Sequence, residues 1–380
     1  MLKIADNELQ WVSNTLQKVE KKMHIVANRN INKIPYTTTI DGKFDDWTNK
    51  DIAWWTNGFW GGIMWQLYKL TKEPIYKENA EVLEKKLDRN LMLADKLDHD
   101  NGFKWGPTAL ANYSLTGNQE SANRAMLAAC NLASRFNLNG KYIRAWNDDS
   151  TNRSGLAIVD CLMNLPLLYW ATKESGDPRF SQIAMAHAFT AQKYLVRSNG
   201  SVKHIIEFNP NTGEYLKSHG GQGLGHGSSW TRGQAWALYG FALSYHHTKE
   251  EQFLSTAKQV AHYFISNIPE NNLIPIDFSA SSDQPMWQDD SASTIAACGL
   301  LKIAKLTGDP EESEIFISAA LKLLHALTEQ SCNFAIDTDN LLMRCSAAYH
   351  ESNHEYPIIY GDYFYLEALL TLSNQALFLW

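Results

Sequence analysis

The chain has 380 residues, and 44% of them are hydrophobic, enough for a large core. The formal net charge is −7 with no basic run, which argues against nucleic acid or anionic membrane as partners. It does not exclude an acidic substrate, because a site can be locally basic inside an acidic protein.

The first residues, Met1-Leu-Lys-Ile-Ala-Asp6, form no apolar h-region, so no signal peptide is expected and the cytoplasm is the expected location. No apolar run reaches membrane-spanning length. From Leu9 the apolar residues step by three and four, through Val12, Leu16, Val19 and Met23, which marks one face of a first helix. The same periodicity predicts helices over 58–71, 75–92, 104–116, 119–136, 155–175, 178–197, 230–248, 250–268, 290–307, 311–330 and 361–376, twelve in all.

Short joints recur between these helices: Leu-Thr-Lys-Glu-Pro at 70–74, Leu-Thr-Gly-Asn at 115–118, Ser-Gly-Asp-Pro at 175–178, Thr-Lys-Glu-Glu at 248–251 and Thr-Gly-Asp-Pro at 307–310. Gly ends one helix in a left-handed conformation, Asp caps the next, and Pro takes a position that needs no amide donor. The remaining connections, about 27–57, 93–103, 137–154, 198–229, 269–289 and 331–360, are long and irregular. Amphipathic helices alternate with helices that are apolar nearly all round, such as the one carrying Cys161-Leu-Met-Asn-Leu-Pro-Leu-Leu168. Six outer and six inner helices in alternation describe an all-α (α/α)6 barrel, expected as a single domain over 1–380. All inner helices then run the same way, so every long loop enters one rim and its residues converge on one pocket. The helix N-termini at that rim favour an anionic ligand.

The five cysteines, Cys130, Cys161, Cys298, Cys332 and Cys345, have no close spacing. They are expected to be reduced, with Cys130, Cys161 and Cys298 in the core, and no zinc or haem spacing appears.

The rim segments carry the candidate chemistry. Trp54-Trp55-Thr-Asn-Gly-Phe-Trp60 and Trp65 precede or enter the second helix; Trp55 is the candidate for stacking a sugar ring, whereas Trp65 reads as core. Asp98-His99-Asp100-Asn-Gly102 reads as a turn or cap, or as a catalytic carboxylate. Asp160 stands in an apolar run of an inner helix, where burial is expected to raise its pKa and favour the protonated acid, unless an arginine pairs with it. Asp100 and Asp160 would form the carboxylate pair usual in sugar chemistry. The glycines of Gly220-Gly-Gln222-Gly-Leu-Gly-His226-Gly follow no strand pattern and precede no Lys-Ser/Thr, so a nucleotide loop is excluded. Arg232, in the first turn of an inner helix, opposes the helix dipole; it either grips a substrate carboxylate or pairs with a local Asp. His204, Trp146, Asp289, Asp290, Tyr349 and His350 are further rim residues, with Asp289-Asp290-Ser291 and Gly361-Asp362-Tyr363 reading as helix caps.

Together these segments resemble the unsaturated glucuronyl hydrolases of glycoside hydrolase family 88. Seven stretches carry the resemblance, in the family's order: Trp55-Thr-Asn-Gly-Phe-Trp60, His99-Asp-Asn-Gly-Phe103, Arg144-Ala-Trp146, Asp160-Cys-Leu-Met-Asn-Leu-Pro-Leu-Leu168, Trp230-Thr-Arg-Gly-Gln-Ala-Trp236, Asp290-Ser-Ala-Ser-Thr294 and Gly361-Asp-Tyr-Phe-Tyr-Leu-Glu-Ala-Leu-Leu370. The resemblance implies an (α/α)6 barrel. It implies a catalytic pair at Asp100 and Asp160, with Asp160 as general acid and base. It implies sugar contacts at Trp55, His99, Trp146, His204, Gln222, Arg232, Trp236, Tyr349 and His350. It implies hydrolysis without a metal or cofactor. The substrate implied is an oligosaccharide ending in a 4,5-unsaturated uronate.

Two departures concern the sugar beyond that uronate. Gly221 stands where many members have His or Arg, and the loop after His350 is short and lacks the Ser- and Lys-bearing pattern associated with sulfated substrates. Three rival readings share most of these residues: an unsaturated rhamnogalacturonyl hydrolase acting on pectin fragments, a sugar epimerase, and a non-catalytic carbohydrate-binding protein.

Overall fold

A computed structural model describes residues 2–147 and 153–380 of the protein. The helices in chain order are α1 (Asp6–Arg29), α2 (Phe59–Thr71), α3 (Pro74–Leu91), α4 (Asn101–Trp105), α5 (Ala111–Thr116), α6 (Gln119–Ser134), α7 (Leu165–Ser175), α8 (Arg179–Leu195), α9 (Thr231–Thr248), α10 (Glu251–Ser266), α11 (Asp290–Leu306), α12 (Pro310–Gln330) and α13 (Ile359–Leu372). A π-helical turn over Gly106–Leu110 joins α4 and α5 into one rod. Pro107 explains it: the ring has no amide hydrogen to donate and crowds the carbonyl a turn earlier, so the helix widens there. Counted as rods, the helices among the described residues are twelve.

The rods alternate as the apolar patterns require. In α9, α11 and α13 nearly every residue is buried, whereas α1, α3, α10 and α12 bury one face. Each inner rod packs on the next, from α2 through α4–α5, α7, α9, α11 and α13, and α13 returns to α2, which closes the ring. The capped joints are as the sequence suggests at Gly117 and Gly176, both with φ of 74°, and at Asn118 and Asp309, whose side chains accept the first free amides of α6 and α12. Gly308 departs from the expectation; α11 ends in an extended Thr307 rather than a left-handed glycine.

The larger departure is at 155–164. The expected helix begins only at Leu165; before it lie strand β3 (Leu156–Ile158) and a 3-10 turn over Val159–Met163. Strand β3 pairs antiparallel with β4 (Ile205–Phe208), and β4 with β5 (Tyr215–His219). A separate two-stranded ribbon pairs β1 (Phe136–Asn137) with β2 (Tyr142–Ile143). Asp160 therefore sits on the rim turn that follows β3, not inside an inner helix.

Backbone hydrogen bonds tie neighbouring rim loops together: His99 N to Ala145 O, Val159 N to His204 O, Thr231 N to Ile276 O, Asp290 N to Arg344 O, and Ile359 N to Tyr36 O. Among the described residues no helix is long and apolar enough to cross a membrane. The cysteines are all free, but Cys130 is exposed rather than part of the core.

Candidate active site

The three-stranded sheet builds the centre of the rim. Its register pairs Ile158 with Ile205 and Ile205 with His219. One step beyond those pairs the chains continue as Val159-Asp160, His204 and Gly220-Gly-Gln222, so three distant segments arrive side by side. His204 Nε2 stands 3.5 Å from Asp160 Oδ2, and among the described residues neither atom has a closer hydrogen-bond partner. On the other side of the ring, Gln222 N donates to His204 Nδ1 over 2.9 Å. The ring centroid lies 4.2 Å from that of Trp230.

The second carboxylate comes from the loop before α4. Asp100 is buried, and His99 Nε2 lies 3.4 Å from its Oδ2. Burial pushes the Asp100 carboxyl well above the usual carboxylate range, and the charges of Asp98 and Asp160 push it further. Burial also acts to raise Asp160, but there it is outweighed by the contact with His204 and by His99 and Arg232, which hold Asp160 below its ordinary value. This reverses the expectation that burial would leave Asp160 as the protonated member. Desolvation pushes His99 down to about 4, so its imidazole is neutral near pH 7.

The other expected sugar-contacting residues lie at different depths. Trp55 and Trp146 are partly exposed at the rim; Trp55 packs on Tyr360 with centroids 4.8 Å apart, and Trp146 meets the His99 ring edge-on at 5.9 Å. Gln222 is partly exposed, its Nε2 donating to Ala347 O, and its carbonyl accepts from Tyr349 N at 2.8 Å. His350 is exposed and donates from Nε2 to Leu224 O, while Tyr349 is buried with its hydroxyl on Pro285 O.

Arg232 and Trp236 lie deeper than expected. Arg232 donates to Asp289 Oδ2 at 2.6 Å and to the carbonyls of Ser346 and Ala347, and is 1% exposed. Its guanidinium sits between the rings of Trp230 and Tyr360. Of the two readings of Arg232, the internal ion pair is the one formed here. Trp236 is fully buried beneath the rim between Phe103 and Phe364. Trp65 is core, as expected.

Asp289 caps α11 by accepting from Ser291 N, as expected. Asp362 does not cap its own helix; it accepts from Leu341 N and Leu342 N and braces the preceding loop.

Several residues of the site went unread in the sequence. Asp277, buried in the 267–289 connection, accepts from the amides of Leu224, Ser229 and Ser279 and folds the glycine loop. Arg135, at the end of α6, donates to Leu97 O, Arg144 O, Ala145 O and Asn147 Oδ1, joining the loops of His99 and Trp146. No helical or strand period points at either one. Larger cavities lie elsewhere, one of about 600 Å³ beside the α11–α12 joint and one of about 550 Å³ at the opposite end of the barrel. Neither contains a residue from the converging rim segments, so cavity size does not locate this site. Among the described residues no cluster of His, Cys, Asp and Glu is arranged to hold a metal ion.

A closed ring of paired helices with two carboxylates and tryptophans at one mouth is an (α/α)6 barrel with a candidate sugar site at that mouth. The chain belongs to Glycosyl Hydrolase Family 88, whose model matches residues 22–245. It is 35% identical over 366 residues to the unsaturated glucuronyl hydrolase of Bacillus sp. (strain GL1), covering 93% of this chain and 96% of the relative. The crystal structure of unsaturated glucuronyl hydrolase from Streptococcus agalactiae superposes with a TM-score of 0.90 at 29% identity, covering 100% of this chain and 95% of that one. A mutant of the S. agalactiae enzyme complexed with dGlcA-GalNAc6S superposes with a TM-score of 0.82 at 29% identity, over 97% of this chain and 93% of the other.

Proposed function

We propose that the protein hydrolyses glycosaminoglycan-type oligosaccharides that end in a 4,5-unsaturated uronate, releasing that sugar, with the whole chain acting as one catalytic domain. The observation that carries this reading is the carboxylate pair: Asp100 and Asp160 share one rim, with their proton affinities pushed apart. One proton on such a pair provides an acid and a base together. The vinyl ether at C4=C5 needs both. A proton from the pair adds to C4, and the positive charge at C5 is shared with the ring oxygen. Water, deprotonated by the ionised member, adds to C5. The resulting hemiketal opens and expels the remaining sugar.

In the free site Asp100, held above the usual carboxylate range, is the member that favours a proton, and Asp160, held below it, favours the ionised form; both carboxylates are buried. Trp55 and Trp146 offer apolar faces to the sugar, and Gln222, Tyr349 and His350 line the same mouth. Trp236 and Arg232 support it from beneath. Small lyase products are the fragments a cell imports, which suits action in the cytoplasm.

The loop after His350 contributes Glu351 and Glu355 and neither Lys nor Arg before Gly361, so no strong preference for a 6-sulfated over an unsulfated neighbouring sugar is expected. The test is loss of the C4=C5 ultraviolet absorbance across lyase products of hyaluronan, chondroitin, heparin and pectin. Turnover confined to pectin fragments would replace this reading with a rhamnogalacturonyl hydrolase, and binding without absorbance loss would make the protein a sugar-binding module.

A further inference from the structure

Gly221 has φ of +58°, the left-handed region that favours glycine, and a Cβ built there would fall 1.9 Å from His204 Nδ1. No other contact made by an added Cβ in the 220–227 loop is so short. The close approach has a purpose visible in the next peptide: Gln222 N donates to that same Nδ1 at 2.9 Å. A ring nitrogen that accepts an amide hydrogen carries no proton of its own, so the imidazole proton is on Nε2. Nε2 is the atom 3.5 Å from Asp160 Oδ2, and both atoms are buried with no other partner among the described residues.

Two further restraints fix the ring. The His204 carbonyl accepts from Val159 N at 3.0 Å, which holds its backbone beside Asp160, and Trp230 lies against the ring. The glycine loop is itself anchored by the Asp277 carboxylate.

We infer that the Gln222 amide is a positioning group: it holds His204 as the Nε2–H tautomer, which aims a single donor at Asp160, and in this chain the left-handed turn at Gly221 is what brings that amide to the ring. This rests on the assignment of Asp160 to the reaction, but the tautomer is a property of the free protein and can be measured without turnover. The donor favours the ionised form of Asp160. The other titratable or charged groups around that carboxylate are His99 and Asp100 from the loop before α4, Cys161 beside it, and Arg232 from α9. The three nearest atoms that an added Cβ at 221 would meet all belong to His204 and to none of these groups.

The test combines histidine nitrogen spectra of the full chain with kinetics of two glycine variants. In ¹⁵N-labelled wild type under mildly alkaline conditions, His204 (assigned by its loss in His204→Gln) should show a bare Nδ1 and a protonated Nε2. In Gly221→Ala the added methyl displaces the ring. That single tautomer should then be lost, kcat/KM should fall at least tenfold, and the acid limb of its pH profile should move to higher pH. Gly225→Ala is the control, because an added Cβ there meets nothing within 4 Å; its spectrum and kinetics should match wild type. A wild-type His204 protonated on Nδ1, or a tautomer mixture, overturns the inference, and that arm holds even if Gly221→Ala does not fold. A Gly221→Ala protein with an unchanged spectrum and pH profile also overturns it. The expected tautomer in a wild-type protein that turns over no unsaturated sugar would leave the inference standing and remove the hydrolase reading.

Discussion

Arg232 and Asp289 form an ion pair of 2.6 Å in which both side chains are buried, joining the first turn of α9 to the cap of α11. It fastens two inner helices at the mouth of the barrel. Removing one partner strands the other charge without solvent, which costs about 3–5 kcal/mol. Arg232→Leu should therefore lower the unfolding free energy by that amount, measured by denaturant titration. A loss confined to sugar affinity, with stability unchanged, would return Arg232 to the role of a carboxylate grip.

Asp100 should make stability depend on pH in a definite direction. Its folded pKa is raised, so on raising pH the unfolded chain releases this proton first, near the ordinary value of about 4. From there up to the folded pKa, the folded state holds more protons and stability falls as pH rises. Asp100→Asn removes that dependence. Its thermal midpoint should exceed that of wild type by a margin that grows as pH rises from about 4, while its turnover is lost. A constant or shrinking margin would show that Asp100 is not held protonated.

Arg135 is outside the sugar-binding mouth yet holds four oxygens of the loops that carry His99 and Trp146. Lysine cannot reproduce the planar fork. Arg135→Lys should lose roughly 1–3 kcal/mol of stability, the cost of leaving buried carbonyls unmet. Its kcat/KM should fall as well, since both loops loosen together. Denaturation and steady-state kinetics on the same preparation check the two effects.

The sulfate preference is open to a direct comparison. With two glutamates and no cation between His350 and Gly361, kcat/KM for the 6-sulfated chondroitin disaccharide should not exceed that for the unsulfated one. A large advantage for the sulfated sugar would require a cation from another rim loop.

The barrel was readable because helix periodicity and the Gly–Asp–Pro joints repeat along the chain. The segment Leu156-Ala-Ile-Val159 was not, because a short apolar run suits a strand or a buried helix equally. Its pairing with Ile205–Phe208 decides the matter, and that contact is long-range. Two local signals pointed the right way: Pro166 marks a helix start at Leu165, and Asn209-Pro-Asn-Thr-Gly213 marks the turn of a hairpin. The candidate residues were legible as a set because all inner helices enter one rim. The opposite shifts of the two carboxyls were not legible, since they depend on the burial of Asp100 near Asp98 and on His204, His99 and Arg232 standing near Asp160. No sequence spacing encodes that arrangement.

Protonation of C4 and hydration of C5 by the Asp100–Asp160 pair can be followed by running the reaction in heavy water with unsaturated chondroitin disaccharide. The absorbance of the double bond should disappear and the released uronate should carry deuterium at C4. Asp160→Asn, folded and still binding the sugar, should be slowed at least about a hundredfold, the low end for general acid–base catalysis. Absorbance that persists on the bound sugar, a product without the label, or near-normal turnover by Asp160→Asn would contradict this role of the pair.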